Sequence, residues 1–198
     1  MPSMKNTISI TLIVLVILSA FTFIKPESYI ADTKKSKLSW VGYKVGSKQY
    51  GDLNLNNGYF VMNGNELTGG SFTMDMNSIT VKNVQGKQAE ELLSQLRSEE
   101  FFGVAKYATA QFQFTKATSI GANKYDITGK LTIKNTTKDI TFPAVVVSDG
   151  KNLTAKGTLI IDREKWNIVY RDPWVGTSAN NLIGNNIEIS LNIIANKN

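Results

Sequence analysis

The stretch Gly69-Gly70-Ser71-Phe72-Thr73-Met74-Asp75-Met76-Asn77 decides the fold class. Phe72, Met74 and Met76 fall on one side of an extended chain, and Ser71, Thr73, Asp75 and Asn77 on the other. That is the period-two pattern of a strand with one buried and one wet face. The same rhythm recurs on both sides of it. Upstream, Leu38 and Trp40 alternate with Ser39, and Leu53 and Leu55 with Asp52, Asn54 and Asn56. Asn57-Gly58 then reads as a turn, after which Tyr59 and Val61 resume an apolar face. Downstream, Phe112 and Phe114 alternate with Gln111 and Gln113, and Tyr125, Ile127, Leu131 and Ile133 with Asp126, Thr128, Lys130 and Thr132. Ile140 and Phe142 flank Thr141, Leu159 and Ile161 oppose Thr158, and Ile187, Ile189, Leu191 and Ile193 face away from Glu188, Ser190 and Asn192. Gly121-Ala122-Asn123, Asn135-Thr136-Thr137 and Ser148-Asp149-Gly150 supply turns between these runs.

One segment breaks the rhythm. Gln88 to Arg97 places Ala89, Leu92, Leu93 and Leu96 at helical spacing, which predicts a short amphipathic helix. Glu90 and Glu91 are expected in its first turns and Arg97 near its end, the charge order that the helix dipole favours. Phe101-Phe102 is an apolar plug where the chain rejoins the sheet. About eight strands at short, regular spacing with one inserted helix give an all-β, antiparallel fold. Closure into a barrel is the better reading, because it removes exposed edges, and a barrel of this size either fills with side chains or holds one small ligand.

Composition narrows the chemistry. The 198 residues, 42% hydrophobic, suffice for one well-buried domain. Neither cysteine nor histidine occurs, which removes disulfides, thiolate metal sites and the usual general base and zinc ligand. No catalytic residues, cofactor or metal are expected. The acidic pairs Glu90-Glu91 and Glu99-Glu100 read as solvated surface, and Gly69-Gly70 as a turn or bend rather than a phosphate loop. The net charge of +6 comes from lysines scattered singly apart from Lys34, Lys35 and Lys37; without a basic stripe or recognition motif, no nucleic-acid partner is expected.

The N-terminus reads as an address. Lys5 precedes an apolar run from Ile8 to Ile24, so residues 1–26 are expected to be a signal peptide or an N-terminal membrane anchor, and 27–198 the barrel domain. Leu18-Ser19-Ala20 is a poor cleavage site, and the apolar run lies at the lower limit for spanning a bilayer. Both fates stay open, and the location expected is periplasmic or secreted, with retention at the membrane as the alternative.

In order along the chain, Tyr29-Ile30-Ala31-Asp32, Ser36-Lys37-Leu38-Ser39-Trp40, Gly69 to Ile79, Leu96-Arg97-Ser98-Glu99-Glu100-Phe101-Phe102, Ala110-Gln111-Phe112-Gln113-Phe114, Gly129 to Lys138 and Asp162-Arg163-Glu164-Lys165-Trp166-Asn167-Ile168 resemble the landmarks of the YceI-like family. The resemblance covers Tyr29 to Ile194. It implies a lipocalin-like barrel whose pocket accepts polyisoprenoids or other long-chain amphiphiles, with no catalytic residues established for the family. Two histidines common in the family are missing, and Ala108 stands where a proline is usual, so a head-group contact through those histidines does not carry over.

On this reading the candidate ligand-binding residues are Trp40, Phe72, Met74, Met76, Phe112, Phe114, Ile127, Leu131, Phe142, Leu159, Arg163, Trp166 and Leu191. For each aromatic the competing reading is ordinary core packing. Met74 and Met76 suit a flexible chain because thioethers adapt, yet they also fill irregular cores. Trp166 either caps the pocket or plugs a barrel end, and Arg163 is read chiefly as an ion pair with Asp162 or a turn hydrogen bond. Arg163, Asn167, Tyr170 and Arg171 are the candidates for a polar head group. The function expected is a carrier or sequestering protein for a polyisoprenoid, quinone-like or fatty lipid. A filled barrel acting through its outer surface on envelope partners is the alternative, and a lipid-modifying enzyme a weaker one. Membrane association through the N-terminal segment and a homodimer stay open.

Overall fold

The computed structural model describes residues 25–44, 46–170 and 183–198. The described residues build nine strands and one helix: β1 (Glu27–Ala31), β2 (Lys37–Lys44), β3 (Ser47–Asn63), β4 (Glu66–Asp75), α1 (Gly86–Arg97), β5 (Thr109–Gly121), β6 (Lys124–Ile133), β7 (Thr136–Ser148), β8 (Asn152–Asp162) and β9 (Ile183–Lys197). Each of β2 to β8 pairs antiparallel with the next, and β9 pairs with β2, so eight strands close a barrel. β1 pairs with the far half of β3 and the end of β9, in line with β2, so β1 and β2 form one interrupted stave. At the break Asp32 donates its N–H to Ile194 O at 2.7 Å. Ser36 Oγ donates to the same oxygen and accepts from Ile194 N–H at 3.1 Å. A side chain thus replaces the missing ladder rungs.

The barrel has two unlike ends. The rim carries the β2–β3 hairpin, the excursion between β4 and β5 that contains α1, the β6–β7 hairpin and the connection leaving β8. At the base lie the β3–β4, β5–β6 and β7–β8 hairpins and both ends of the barrel chain. The β6–β7 turn holds Lys134 and Asn135 at φ 48° and 60°, the paired positive angles that match strand twist in two-residue hairpins.

Three local expectations change. Asn57-Gly58 is no turn but lies within the 17-residue β3. An extra residue sits between the pairs Leu55↔Met74 and Asn57↔Thr73, a bulge that flips the strand's facing. Leu53 and Leu55 point inward before it, Gly58, Phe60 and Met62 after it, and Tyr59 is 39% exposed. Gly69-Gly70 lies inside β4 beside a second bulge, between Val61↔Gly69 and Met62↔Leu67. The helix begins at Gly86, so its first turn holds no acid and Glu90 and Glu91 fall in the second turn; Arg97 does occupy the last.

Beyond β4, a 3-10 turn (Met76–Ser78) leads into a segment that follows β3 through main-chain and side-chain hydrogen bonds. Thr80 N–H donates to Asp52 O at 3.0 Å and Lys82 N–H to Tyr50 O at 2.9 Å, while Asn83 bridges to Tyr50 N–H and Lys48 O. Arg97 donates to Asn77 O at 2.7 Å and ties the end of α1 to that turn. Among the described residues no helix is long and apolar enough to cross a membrane.

Candidate ligand-binding cavity

Inward-facing side chains behave differently in the two halves. Toward the base, Tyr29, Phe60, Met62, Leu67, Phe114, Ile127, Val146, Leu153 and Ala195 are buried in a packed core. Leu153 and Ala195 expose nothing, and the Tyr29 hydroxyl donates to Gly150 O at 3.3 Å. Toward the rim the same alternation encloses a cavity of about 570 Å³, within the range of small-molecule sites. Its lining on β9 extends from Gly184 to Ile193, which at about 3.3 Å per residue and a strand tilt near 40° is a depth on the order of 20 Å. The packed base makes it blind at one end.

Trp40, Phe72, Met74, Met76, Phe112, Leu131, Phe142, Leu159, Arg163 and Leu191 line this cavity. Phe114, Ile127 and Trp166 are buried but lie outside its lining. Phe114 and Ile127 share the facing of Phe112 and Leu131 but sit nearer the base. Trp166, 1% exposed on the 3-10 turn Arg163–Trp166, donates its indole N–H to Leu131 O at 3.1 Å, so it plugs the rim corner rather than capping the pocket. Trp40 is fixed by donation from Nε1 to Thr80 O at 3.1 Å. The Phe112 and Phe142 rings meet at 5.6 Å, and Phe60 packs edge-on against Phe72 at 4.7 Å.

Lining groups not singled out from the sequence fall into two sets. Leu55, Ile161, Ile187, Ile189 and Ile193 are inward partners of residues that were, and facing alone would have found them. The other set is polar: Gln88, Glu91 and Gln95 on α1, with Lys44 and Gln49 from the β2–β3 hairpin. Positions 88, 91 and 95 form one stripe of a helix beside Leu92 and Leu96. α1 therefore lies across the mouth with an apolar and an amide-rich edge turned to the cavity. Phe101 and Phe102, edge-on at 4.8 Å, close the mouth beside it, as the plug reading expected.

Arg163 is wholly buried. Its Nε donates to Gly184 O at 3.3 Å and a terminal nitrogen to Ile168 O, so the guanidinium satisfies main-chain carbonyls where β8 leaves the wall; the Asp162 carboxylate accepts instead from Glu164 N–H at 3.2 Å. Asn167, at φ 60°, donates to Thr136 Oγ1 at 3.2 Å, and Tyr170 packs against the core. Arg171 lies outside the described residues, as does the N-terminal segment up to Ile24. Among the described residues no cluster of acidic side chains is disposed to hold a metal ion.

The profile of the YceI-like domain matches residues 29–195. This chain belongs to the YceI-like family. A UPF0312 protein of Ectopseudomonas mendocina (strain ymp) is 28% identical over 116 residues, 59% of this YceI-like chain and 57% of that protein. A UPF0312 protein of Azotobacter vinelandii (strain DJ / ATCC BAA-1303) is 39% identical over 57 residues, 29% of this chain and 30% of its own length. The chain thus spans less than two thirds of either relative. Among solved structures, BcnA of Burkholderia cenocepacia superposes with a TM-score of 0.70 at 24% identity, covering 83% of this chain and 99% of BcnA. A polyisoprenoid binding domain from Saccharophagus degradans gives 0.61 at 12% identity, covering 86% and 98%. At these identities the likeness is one of fold.

Proposed function

We propose that this YceI-like protein is an extracytoplasmic carrier or sequestering protein that holds the hydrocarbon part of a polyisoprenoid, quinone-like or fatty amphiphile in the rim-half cavity. The observation that carries the reading is the blind, largely apolar cavity of about 570 Å³ with Lys44, Gln49, Gln88, Glu91 and Gln95 gathered at its mouth. A hydrocarbon chain fits that polarity. Each methylene buried contributes about 0.8 kcal/mol, so affinity grows with chain length and needs no catalyst. A structural neighbour described as a polyisoprenoid binding domain supports the same ligand class. The alternative of a filled barrel acting through its surface requires an interior without space, which the cavity argues against. The apolar run before Lys25 supports export, with the segment either removed or kept as an anchor.

The test is native mass spectrometry, with organic extraction and lipid analysis, on the full chain expressed with its export signal in a bacterial envelope. A defined co-purifying long-chain species supports the carrier and names its ligand. A clean apo mass, unchanged by added polyisoprenoids, quinones and fatty acids, overturns it.

A further inference from the structure

The wall of the barrel is not hydrogen-bonded all the way round. The β7–β8 ladder runs only from Ala144↔Gly157 to Ser148↔Leu153, although β7 pairs with β6 from Thr136 to Val145 and β8 pairs with β9 along its whole length. From Thr158 to Asp162, about 15 Å of wall at the usual rise, the two strands have no ladder between them. Proline explains where pairing stops. Val146 turns its N–H toward the β6 side, to Asn123 O at 2.8 Å, so Val145 and position 143 face β8. Pro143 has no N–H to give there. Above the gap the chain is clasped again by Trp166 to Leu131 O and Asn167 to Thr136 Oγ1.

This gap opens onto the cavity. Ile140 and Phe142 on one side, and Leu159 and Ile161 on the other, are cavity-lining residues. Phe142, Leu159 and Ile161 are 7%, 9% and 2% exposed, so among the described residues side chains alone seal it. Ile160, between the last two, is 65% exposed on the outer face, with Thr141 and Pro143 exposed on the facing strand. The β4–β5 ladder is also short, covering Gly70–Asp75 and Thr109–Phe114, but its gap faces the base, where the core is packed. Parting the other walls of the rim half means breaking hydrogen bonds, in ladders or, beside the first part of β3, to Thr80, Lys82 and Asn83, each net favourable; among the described residues, parting this one only separates side chains.

Building on the carrier reading, we infer that the unpaired stretch between β7 and β8 is the doorway by which a hydrocarbon chain slides sideways into the cavity, with Ile160 and Pro143 as its apolar outer threshold. Lateral uptake lets the chain leave a lipid phase without its whole length crossing water, and leaves the polar mouth under α1 to the head group.

The chain has no cysteine, so a tether can be placed cleanly. Continuing the Ala144↔Gly157 register puts Thr141 and Ile160 opposite one another, both exposed. The double variant Thr141→Cys/Ile160→Cys is joined with a reductant-cleavable bifunctional methanethiosulfonate, and Lys130→Cys/Asp139→Cys across the intact β6–β7 ladder serves as the control. Stopped-flow fluorescence follows uptake of cis-parinaric acid and of a dansyl-tagged farnesyl chain. The expected result is uptake at least tenfold slower in the tethered β7–β8 protein, restored by reductant, with unchanged equilibrium affinity and no effect of the control tether. Pro143→Thr, which returns an N–H to that edge, slows uptake in the same direction without any cross-link. Unchanged rates in a protein whose tether is verified by mass overturn the doorway while leaving the carrier standing. Absence of binding of either probe to the unmodified protein overturns both.

Discussion

Gly58 shows how one residue can set a wall. It stands opposite Phe72, and a Cβ built there would lie 2.3 Å from Phe72 Cδ1 and 2.8 Å from Cε1, so the ring occupies the space that a side chain would need. Gly58→Ala is expected to destabilise the fold by about 1–3 kcal/mol, the usual result of overpacking. Gly69→Ala, whose Cβ would meet only Val61 at 3.8 Å, should shift stability by much less. Urea midpoints of the two variants check this, and equal losses would contradict it. The dipeptide Asn57-Gly58 also marks a limit of legibility. Its turn chemistry is local and visible, but the demand for a glycine comes from a phenylalanine on the neighbouring strand, which alternation cannot show. For Arg163 the sequence offered an ion pair with Asp162, a turn hydrogen bond or a ligand contact; its total burial follows from the carbonyls of Ile168 and Gly184 that the tertiary fold brings to it.

At the scale of elements, strands were easier to read than their joints. Inward facing was readable wherever a run held its period, as in β6 and β9, because one face of each meets the barrel interior. It failed where a bulge inserts a residue in β3, after which Tyr59 faces outward, since a bulge is fixed by pairing with a distant partner. α1 was placed within two residues of its start and at its end, but its cavity-facing edge proved to include Gln88, Glu91 and Gln95; a helical projection about Leu92 and Leu96 would have offered them. The β7–β8 hairpin carries its own pH dependence. The Asp149 carboxylate accepts from Asn152 Nδ2 at 3.0 Å, and from the N–H groups of Asn152 and Lys151 at 2.6 and 2.8 Å. These bonds, the Asn152 side chain first, pull its pKa from 3.8 down to about 2. Because the folded pKa is depressed, the stabilisation is complete above the unfolded value and is lost as pH falls from about 4 through about 2. Asp149→Asn is expected to flatten part of the fall in melting temperature across that window and to leave the neutral range nearly unchanged. Glu27 and Asp32, whose pKa values are lowered by Lys197 and by hydrogen bonds at Lys35 respectively, sustain the remainder. An identical pH profile for the variant would assign that loss to other groups.

Taken whole, the molecule divides its interior into a packed base that carries stability and a hollow rim half that leaves apolar surface unpaired for a ligand. That division explains why the sequence named inward residues well but separated lining from core poorly: Phe112 and Phe114 differ only by one step along the barrel axis, and the depth of each is set by the register of eight strands together. It also predicts opposite mutational signatures. Leu153, with no exposed surface in the base, loses contacts on every side when truncated, so Leu153→Ala is expected to cost about 2–5 kcal/mol while leaving the affinity for a long-chain probe within about twofold. Leu191 lines the cavity and is only partly buried. Truncation there enlarges a space that already exists, so Leu191→Ala should cost below about 1.5 kcal/mol and act chiefly on binding, while Leu191→Trp should fill the cavity, hold or raise apo stability, and weaken the probe by more than about tenfold. Urea denaturation and probe titration on the same preparations provide both axes. A Leu191→Trp protein that binds the probe as the parent does would place the chain elsewhere, and a Leu153→Ala protein that loses affinity in proportion to stability would mean that the two halves act as one.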